Sequence, residues 1–267
     1  MQLIEIFGYI GAFFIGLIMG VLGGGGSILA VPILAYIFHF DEKVATAYSL
    51  FIVGSTGLIG GVRQAINKMV DWKAAFIFGV PAVVGITLTR AFIVPALPDT
   101  LFEIYSFEFT RRMGMFGLFA ALMILAAVSM LSKDKIRKQK KHTTTFHPLI
   151  LSEGFFIGAL TGLVGAGGGF LIVPALMVIA QLEMKKASAT SLVIIALNSL
   201  TGFFLGDASK IDINWNFLGV FVSIAMVGII IGTIINSYLP VKLLKKTFAY
   251  FIIAMAIFIF IEEFIIG

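Results

Sequence analysis

Cysteine is absent from the 267 residues, which excludes disulfides, thiolate chemistry and cysteine-based metal sites. Charge is scarce as well: 12% of residues are Asp, Glu, Lys or Arg, against 60% hydrophobic. A soluble domain needs about a quarter charged residues to cover its surface, so this chain must use lipid as its solvent. Its mean hydropathy of +1.07 and its long, continuous apolar runs predict an all-α polytopic membrane protein, not a barrel of alternating strands. The three histidines, His39, His142 and His147, show no ligand spacing, so no metal is expected, and no cofactor. Gly-Lys-Ser/Thr does not follow the run GGGG at 23–26, which removes a P-loop, and Ser27 has no nearby base to make it a nucleophile. The chain is therefore expected not to be an enzyme. Its first apolar run carries Glu5 and no preceding Lys or Arg, unlike a signal peptide, and reads as a retained first membrane helix. The net charge of +5 sits in short loops, where it speaks for membrane orientation and not for nucleic acid.

What the chain does contain is two copies of one unit. Shifted by 142, Gly16, Gly20, Gly23, Gly25, Gly26, Leu29, Val31 and Pro32 fall on Gly158, Gly162, Gly165, Gly167, Gly168, Leu171, Val173 and Pro174. The same shift lays Lys43, Ala45, Ala47, Ser49 and Leu50 on Lys185, Ala187, Ala189, Ser191 and Leu192. Such internal repeats are typical of transporters, with the substrate site where the repeats meet. Three parts follow: a first membrane repeat at 1–132, a basic linker at 133–147, and a second repeat at 148–267. Apolar segments are expected at 4–22, 27–40, 44–62, 74–96 and 112–132, then at 148–164, 169–182, 187–205, 215–237 and 247–265.

The second segment of each copy is short: about 14 residues reach about 21 Å, less than the ~30 Å hydrocarbon core. Four crossings per copy would make the copies parallel, and five would invert them. Charge favours five. The linker, with Lys133, Lys135, Arg137, Lys138, Lys140 and Lys141 against Asp134, belongs on the cytoplasmic side. Five crossings then place Arg63–Lys73, Lys185–Lys186 and Lys242–Lys246 with it. Asp41–Glu42, Asp99–Arg112, Asp207–Asp212 and Glu262–Glu263 fall outside. The expectation is two inverted repeats of about five membrane helices each, multi-pass in the cytoplasmic (inner) membrane.

Two motif pairs carry the chemistry. VLGGGGSILAVP, at Val21–Pro32, and LVGAGGGFLIVP, at Leu163–Pro174, end one helix, turn, and start a short one near Ser27 or Phe170. Irregular backbone at membrane depth is tolerated where it is buried or lines a cavity. New helix starts offer N–H groups and a positive dipole end to an anion, and a bare glycine backbone lets a ligand come close. Gly23, Gly24, Gly25, Gly26 and Ser27, with Gly165, Gly167, Gly168 and Gly169, are therefore candidate binding residues. Pro32 and Pro174 join them as kinks that free backbone groups. The competing explanation is close helix packing by small residues. In the third segments, Thr46, Ser49 and Thr56 share one helix face, and Ser188, Ser191 and Asn198 hold the equivalent places beside Thr190. They can donate to an oxyanion without a permanent charge, or bond to neighbouring helices and their own carbonyls. Arg90 lies inside the fourth segment, about eight residues from Pro98. It either attracts the anion or snorkels to the outer interface. Glu153 and His39 are expected at interfaces, and no central Asp or Glu marks a proton or sodium site.

These motifs resemble the sulfite exporter TauE/SafE family, over nearly the full length. The family shows a G-x-G-G-G-x-hydrophobic-P motif in each half, followed by an A-T-S-L-type motif, here ATAYSL and ASATSL. Asp71–Trp72 and Asn214–Trp215 match its tendency to place a polar residue and Trp before the next helix. Departures are Tyr48 where the second copy has Thr190, and the extra residues 101–109. The resemblance implies transport of small sulfur-containing anions such as sulfite, thiosulfate, sulfonates or sulfoacetate. A secondary transporter is expected, with a passive anion channel or a non-transporting scaffold or receptor as rivals. Expected partners are a small-anion substrate and the lipid bilayer, with a homodimer left open.

Overall fold

Polar residues placed just ahead of apolar runs set where several helices begin. Asp41, Asp71 and Asn214 each accept a backbone hydrogen bond from inside the helix that follows, from Lys43 N at 3.1 Å, Ala74 N at 2.9 Å and Phe217 N at 3.1 Å. Each satisfies an N–H that has no carbonyl a turn below it. The computed structural model describes residues 3–98, 100–104, 107–132, 148–165, 167–178 and 180–266. The basic linker expected at 133–147 lies outside them.

In chain order the helices of the first half are α1 (Leu3–Leu22), α2 (Ser27–Pro32), α3 (Glu42–Ile66), α4 (Trp72–Leu88), the short α5 (Val94–Ala96) and α6 (Arg111–Ser132). The second half contributes α7 (Pro148–Val164), α8 (Gly169–Val178), α9 (Met184–Gly202), α10 (Trp215–Tyr238) and α11 (Val241–Ile261). A 3-10 turn, Gly24–Gly26, leads into α2, and wider π turns extend α2, α4, α9 and α11. The chain is thus an all-α polytopic membrane protein. Among the described residues six helices are long and apolar enough to span: 42–66, 72–96, 111–131, 184–207, 215–238 and 241–265. Gly24–Ile37 and Gly169–Val178 are the short apolar helices expected second in each copy. The extra residues 101–109 contribute to a hairpin of β1 (Thr100–Ile104) and β2 (Phe107–Thr110), antiparallel with Thr100 opposite Thr110. Its aromatic and β-branched content suits a pleated pair.

α1 packs most extensively on α10, and α7 on α4. In both pairs glycine removes the side chain at the crossing. A Cβ at Gly16 or Gly20 would overlap the α10 backbone, and one at Gly158 the α4 backbone at Ala82. Close helix packing therefore accounts for these glycines, which lie outside the loops proper. α3 and α9 form a central antiparallel pair: Gly54 approaches Leu200 N, Gly57 approaches Leu192 O, and Gly61 approaches Val193 N, at 3.0–3.3 Å from an added Cβ.

Corresponding loops of the two copies lie at opposite ends of α10. Its start sits beside Tyr48, near the beginning of α3, where Asn214 N donates to Tyr48 Oη at 2.8 Å. Its end receives Lys185 Nζ, which donates to Ser237 O at 2.9 Å. The 24 residues between span about 36 Å. At the first end the charged loops interlock. Arg111 pairs with Glu42, and Arg112 Nε donates to Glu263 Oε1 at 2.9 Å, which also accepts from Tyr36 Oη at 2.8 Å. Glu263, expected in an outer loop, is instead buried in the π turn that prolongs α11.

Candidate functional site

The two glycine motifs meet in the middle of the molecule. Gly24 and Gly169 touch backbone to backbone, and a Cβ on either would overlap the other's main chain. Gly23 and Gly165, equivalent under the repeat, both turn with positive φ, 77° and 74°. That is a left-handed conformation which side chains resist. The turns allow the short helices to start at the crossing: α2 with Ser27 after the 3-10 turn, and α8 with Gly169, one residue before the expected Phe170. The loops themselves supply carbonyls to these starts: Ser27 N donates to Gly24 O, and Leu171 N and Ile172 N both donate to Gly168 O at 3.0 Å.

Each loop also touches the polar helix of the other half. Ser188 Oγ lies 2.6 Å from where a Cβ of Gly23 would stand. Thr46, the equivalent of Ser188, packs against Gly165 together with Arg90 Nη2. Gly167 comes against Ser199 Oγ and Val53, and Gly168 against Thr161. Gly25 and Gly26 pack on Phe248 and Met19 instead, so in the first motif the polar neighbours gather at Gly23.

The side chains expected in the site divide into two groups. Ser49 Oγ, Thr56 Oγ1, Ser188 Oγ and both amide atoms of Asn198 are buried without a protein hydrogen-bond partner. The α3–α9 register brings Thr56 and Asn198 to one level, since Gly54 faces Leu200 and Gly57 faces Ala196. An unpartnered buried polar atom costs about 1–3 kcal/mol, and native structures retain few. Others are engaged within the fold. Ser27 Oγ donates to Gly24 O at 2.7 Å, and Ser191 Oγ to Ser188 O at 2.8 Å. Thr46 Oγ1 donates to Lys43 O at 3.2 Å.

Thr190 and Tyr48 share a task despite their different side chains. Thr190 Oγ1 accepts from Asp71 N at 2.9 Å, as Tyr48 Oη accepts from Asn214 N at 2.8 Å. Each hydroxyl holds the cap residue of the next helix in the opposite half. Thr190 is thus a bracing residue in this fold, and the Tyr-for-Thr departure preserves that brace. Pro174 is buried within α8, while Pro32 lines an apolar groove with Leu29, Tyr36 and Phe258.

Arg90 is held inside the protein. It does not snorkel: its side chain is 1% exposed, on the π turn after α4. Nη1 donates to Thr46 Oγ1 at 3.2 Å and lies 3.2 Å from Asp207 Oδ2, while Nε and Nη2 have no partner. Gly206 gives Arg90 room, since a Cβ there would stand 2.5 Å from Arg90 Cβ. Asp207 was expected in an outer loop; it closes the π turn Phe203–Asp207 at the end of the 184–207 span and is buried there. Its partner equivalent, Ala65, gave no repeat signal. Ser199 and Thr161 were also missed, because their first-copy equivalents, Gly57 and Met19, are not polar. His39 is exposed in a left-handed turn after α2, as expected of an interface, whereas Glu153 Oε2 is buried without a partner. Among the described residues no cluster of His, Asp and Glu could hold a metal ion.

Residues 9–259 match the family described as sulfite exporter TauE/SafE. A probable membrane transporter protein of Methanocaldococcus jannaschii is 28% identical over 244 residues, covering 87% of this chain and 85% of that protein. Another from Xylella fastidiosa is 29% identical over 251 residues, covering 92% and 90%. The probable membrane transporter protein YunE of Bacillus subtilis is 29% identical over 256 residues, covering 85% and 88%. No solved structure gives a significant match.

Proposed function

The chain belongs to the sulfite exporter TauE/SafE family and is a multi-pass membrane transporter; from that premise we propose that its cargo is a small sulfur-containing anion, such as sulfite, thiosulfate or an organosulfonate, held where the glycine loops cross. One observation carries the reading: Arg90 presents two unpartnered guanidinium nitrogens beside Gly165, next to the contact of Gly24 with Gly169. A buried cation with free donors, set against the bare backbone of Gly165, is an anion ligand. Arg90 and Ser188 lie near opposite ends of the antiparallel α3–α9 pair, so Ser49, Thr56 and Asn198 between them, and Ser188 at the far end, offer neutral donors along the anion's path. Sulfur oxyanions fit such a set because their oxygens accept in several directions. The two halves, inverted with respect to the inner membrane and with the basic linker cytoplasmic, would rock about this site in alternating access.

The test is a thermal-shift screen of the purified protein against sulfite, thiosulfate, sulfonates, carboxylates and phosphate, since a ligand that binds the folded state stabilises it. Stabilisation by the sulfur anions is expected. Arg90→Gln removes charge-assisted hydrogen bonds of about 1.5–3 kcal/mol each, so binding should weaken by about 10- to 150-fold. A response to cations or sugars alone overturns the reading. Saturable uptake with counterflow of labelled anion in liposomes separates a carrier from a channel.

A further inference from the structure

The site holds one buried cation and one buried carboxylate next to each other, and their charge balance bears on what travels with the anion. Arg90 arrives on the turn after α4 and Asp207 on the turn after α9. Nη1 and Oδ2 are 3.2 Å apart, but Oδ2 is not aligned as a hydrogen bond, so the two are held by charge. Their side chains are 1% and 10% exposed. From the turn beyond α9, Lys210 Nζ donates to Arg90 O at 3.3 Å and Ala91 O at 3.4 Å. From α3 comes Thr46, with Lys43 one turn earlier and Glu42 already paired with Arg111. Asp212 follows Lys210, its carbonyl accepting from Tyr48. Elsewhere among the described residues, Glu263 is buried and held by Arg112 and Tyr36 on other elements, and Glu153 on α7 has one carboxylate oxygen, Oε2, buried without a partner.

Without cargo, Arg90 and Asp207 neutralise each other. A monoanion on the free nitrogens of Arg90 adds a second negative charge beside one buried guanidinium, since the Lys210 ammonium is exposed and screened by water. Uncompensated charge is expensive to bury, and two like charges sharing a site favour a proton on one of them. The anion of a strong acid does not accept that proton, whereas the Asp207 carboxylate does. We propose that Asp207 is the proton-coupling residue, and that a monoanion on Arg90 and one proton on Asp207 cross together as an electroneutral symport. The proton binds an Asp207 carboxylate oxygen from water on one side and leaves it to water on the other, when the anion leaves. This rests on the anion-carrier reading above.

The experiment uses the full chain in liposomes with a luminal pH dye. The probes are methanesulfonate and thiosulfate, both fully ionised near neutral pH. Luminal acidification is expected as either anion enters. Methanesulfonate uptake should be indifferent to valinomycin with potassium on both sides. A pH gradient, acid outside, should drive methanesulfonate accumulation by about tenfold per pH unit. In Asp207→Asn, uptake should no longer follow the pH gradient, and the apparent Kd should become flat with pH. Net methanesulfonate uptake without acidification by the natural protein, with counterflow retained, overturns the coupling and leaves the carrier reading standing. No counterflow and no binding of either probe or sulfite overturns both. Acidification retained by Asp207→Asn overturns the assignment to Asp207. If that variant does not fold, acidification by the natural protein and its response to the gradient decide alone.

Discussion

Replacing Gly24 by alanine should separate the two halves of the site. The new Cβ would overlap Gly169 Cα and stand 2.6 Å from Gly169 O, where a carbon–oxygen contact normally needs about 3.3–3.6 Å. The obstacle is main chain on both sides, so no rotamer relieves it, and the loops must part by about 1 Å. Overpacking of this kind costs about 1–3 kcal/mol, and the backbone contact puts the expected loss near the upper figure. Gly219→Ala is the control. That glycine lies inside α10 with nothing within 4 Å of an added Cβ, so alanine should stabilise by about 0.5–1 kcal/mol. Thermal unfolding in detergent gives the stability difference, and counterflow in liposomes reads the site. Gly24→Ala should melt lower and lose most of its counterflow, whereas Gly219→Ala should keep it. A Gly24→Ala protein with the natural melting temperature and counterflow would refute the view that this contact builds the site.

Two further predictions concern the frame around it. Thr190→Val and Tyr48→Phe each strip the acceptor from a helix-entry N–H, at Asp71 and at Asn214. Each should cost about 1–3 kcal/mol in thermal unfolding, while the affinity of the folded protein for its anion stays near the natural value; unchanged stability in both would remove the bracing role. The chain lacks cysteine, so single cysteines at Lys43 and Lys186 can be labelled cleanly by an impermeant reagent. Lys43 should react from one side of the membrane only and Lys186 from the other, and labelling of both from one side would dispose of inverted halves.

Much of the helical layout was readable from residue order. Apolar runs, caps such as Asp71 and Asn214, and the shortness of the second segment are local properties, and local physics decides them. The third segments were underestimated, observed at 184–207 and 42–66 where 187–205 and 44–62 were expected. Asp207 looked like a loop residue, but a helix can carry a charge inward where a partner waits. The hairpin at residues 100–110 was read only as an insertion.

Of the candidate site, the sequence by itself determined the chemistry and its duplication: paired glycine breaks, a shared face of hydroxyls and an amide, and one arginine at depth. These follow from residue identity and helical period, which need no partner. Only the tertiary structure decided which of those groups are free. It put Gly24 against Gly169, engaged Thr190 with Asp71, Ser191 with Ser188 and Ser27 with Gly24, and left Ser49, Thr56, Ser188 and Asn198 unpartnered. It also joined Arg90 to Asp207, 117 residues away in the chain. Hydrogen bonds and ion pairs between distant segments depend on how helices cross, and sequence spacing constrains a crossing only where the helices are already known to meet.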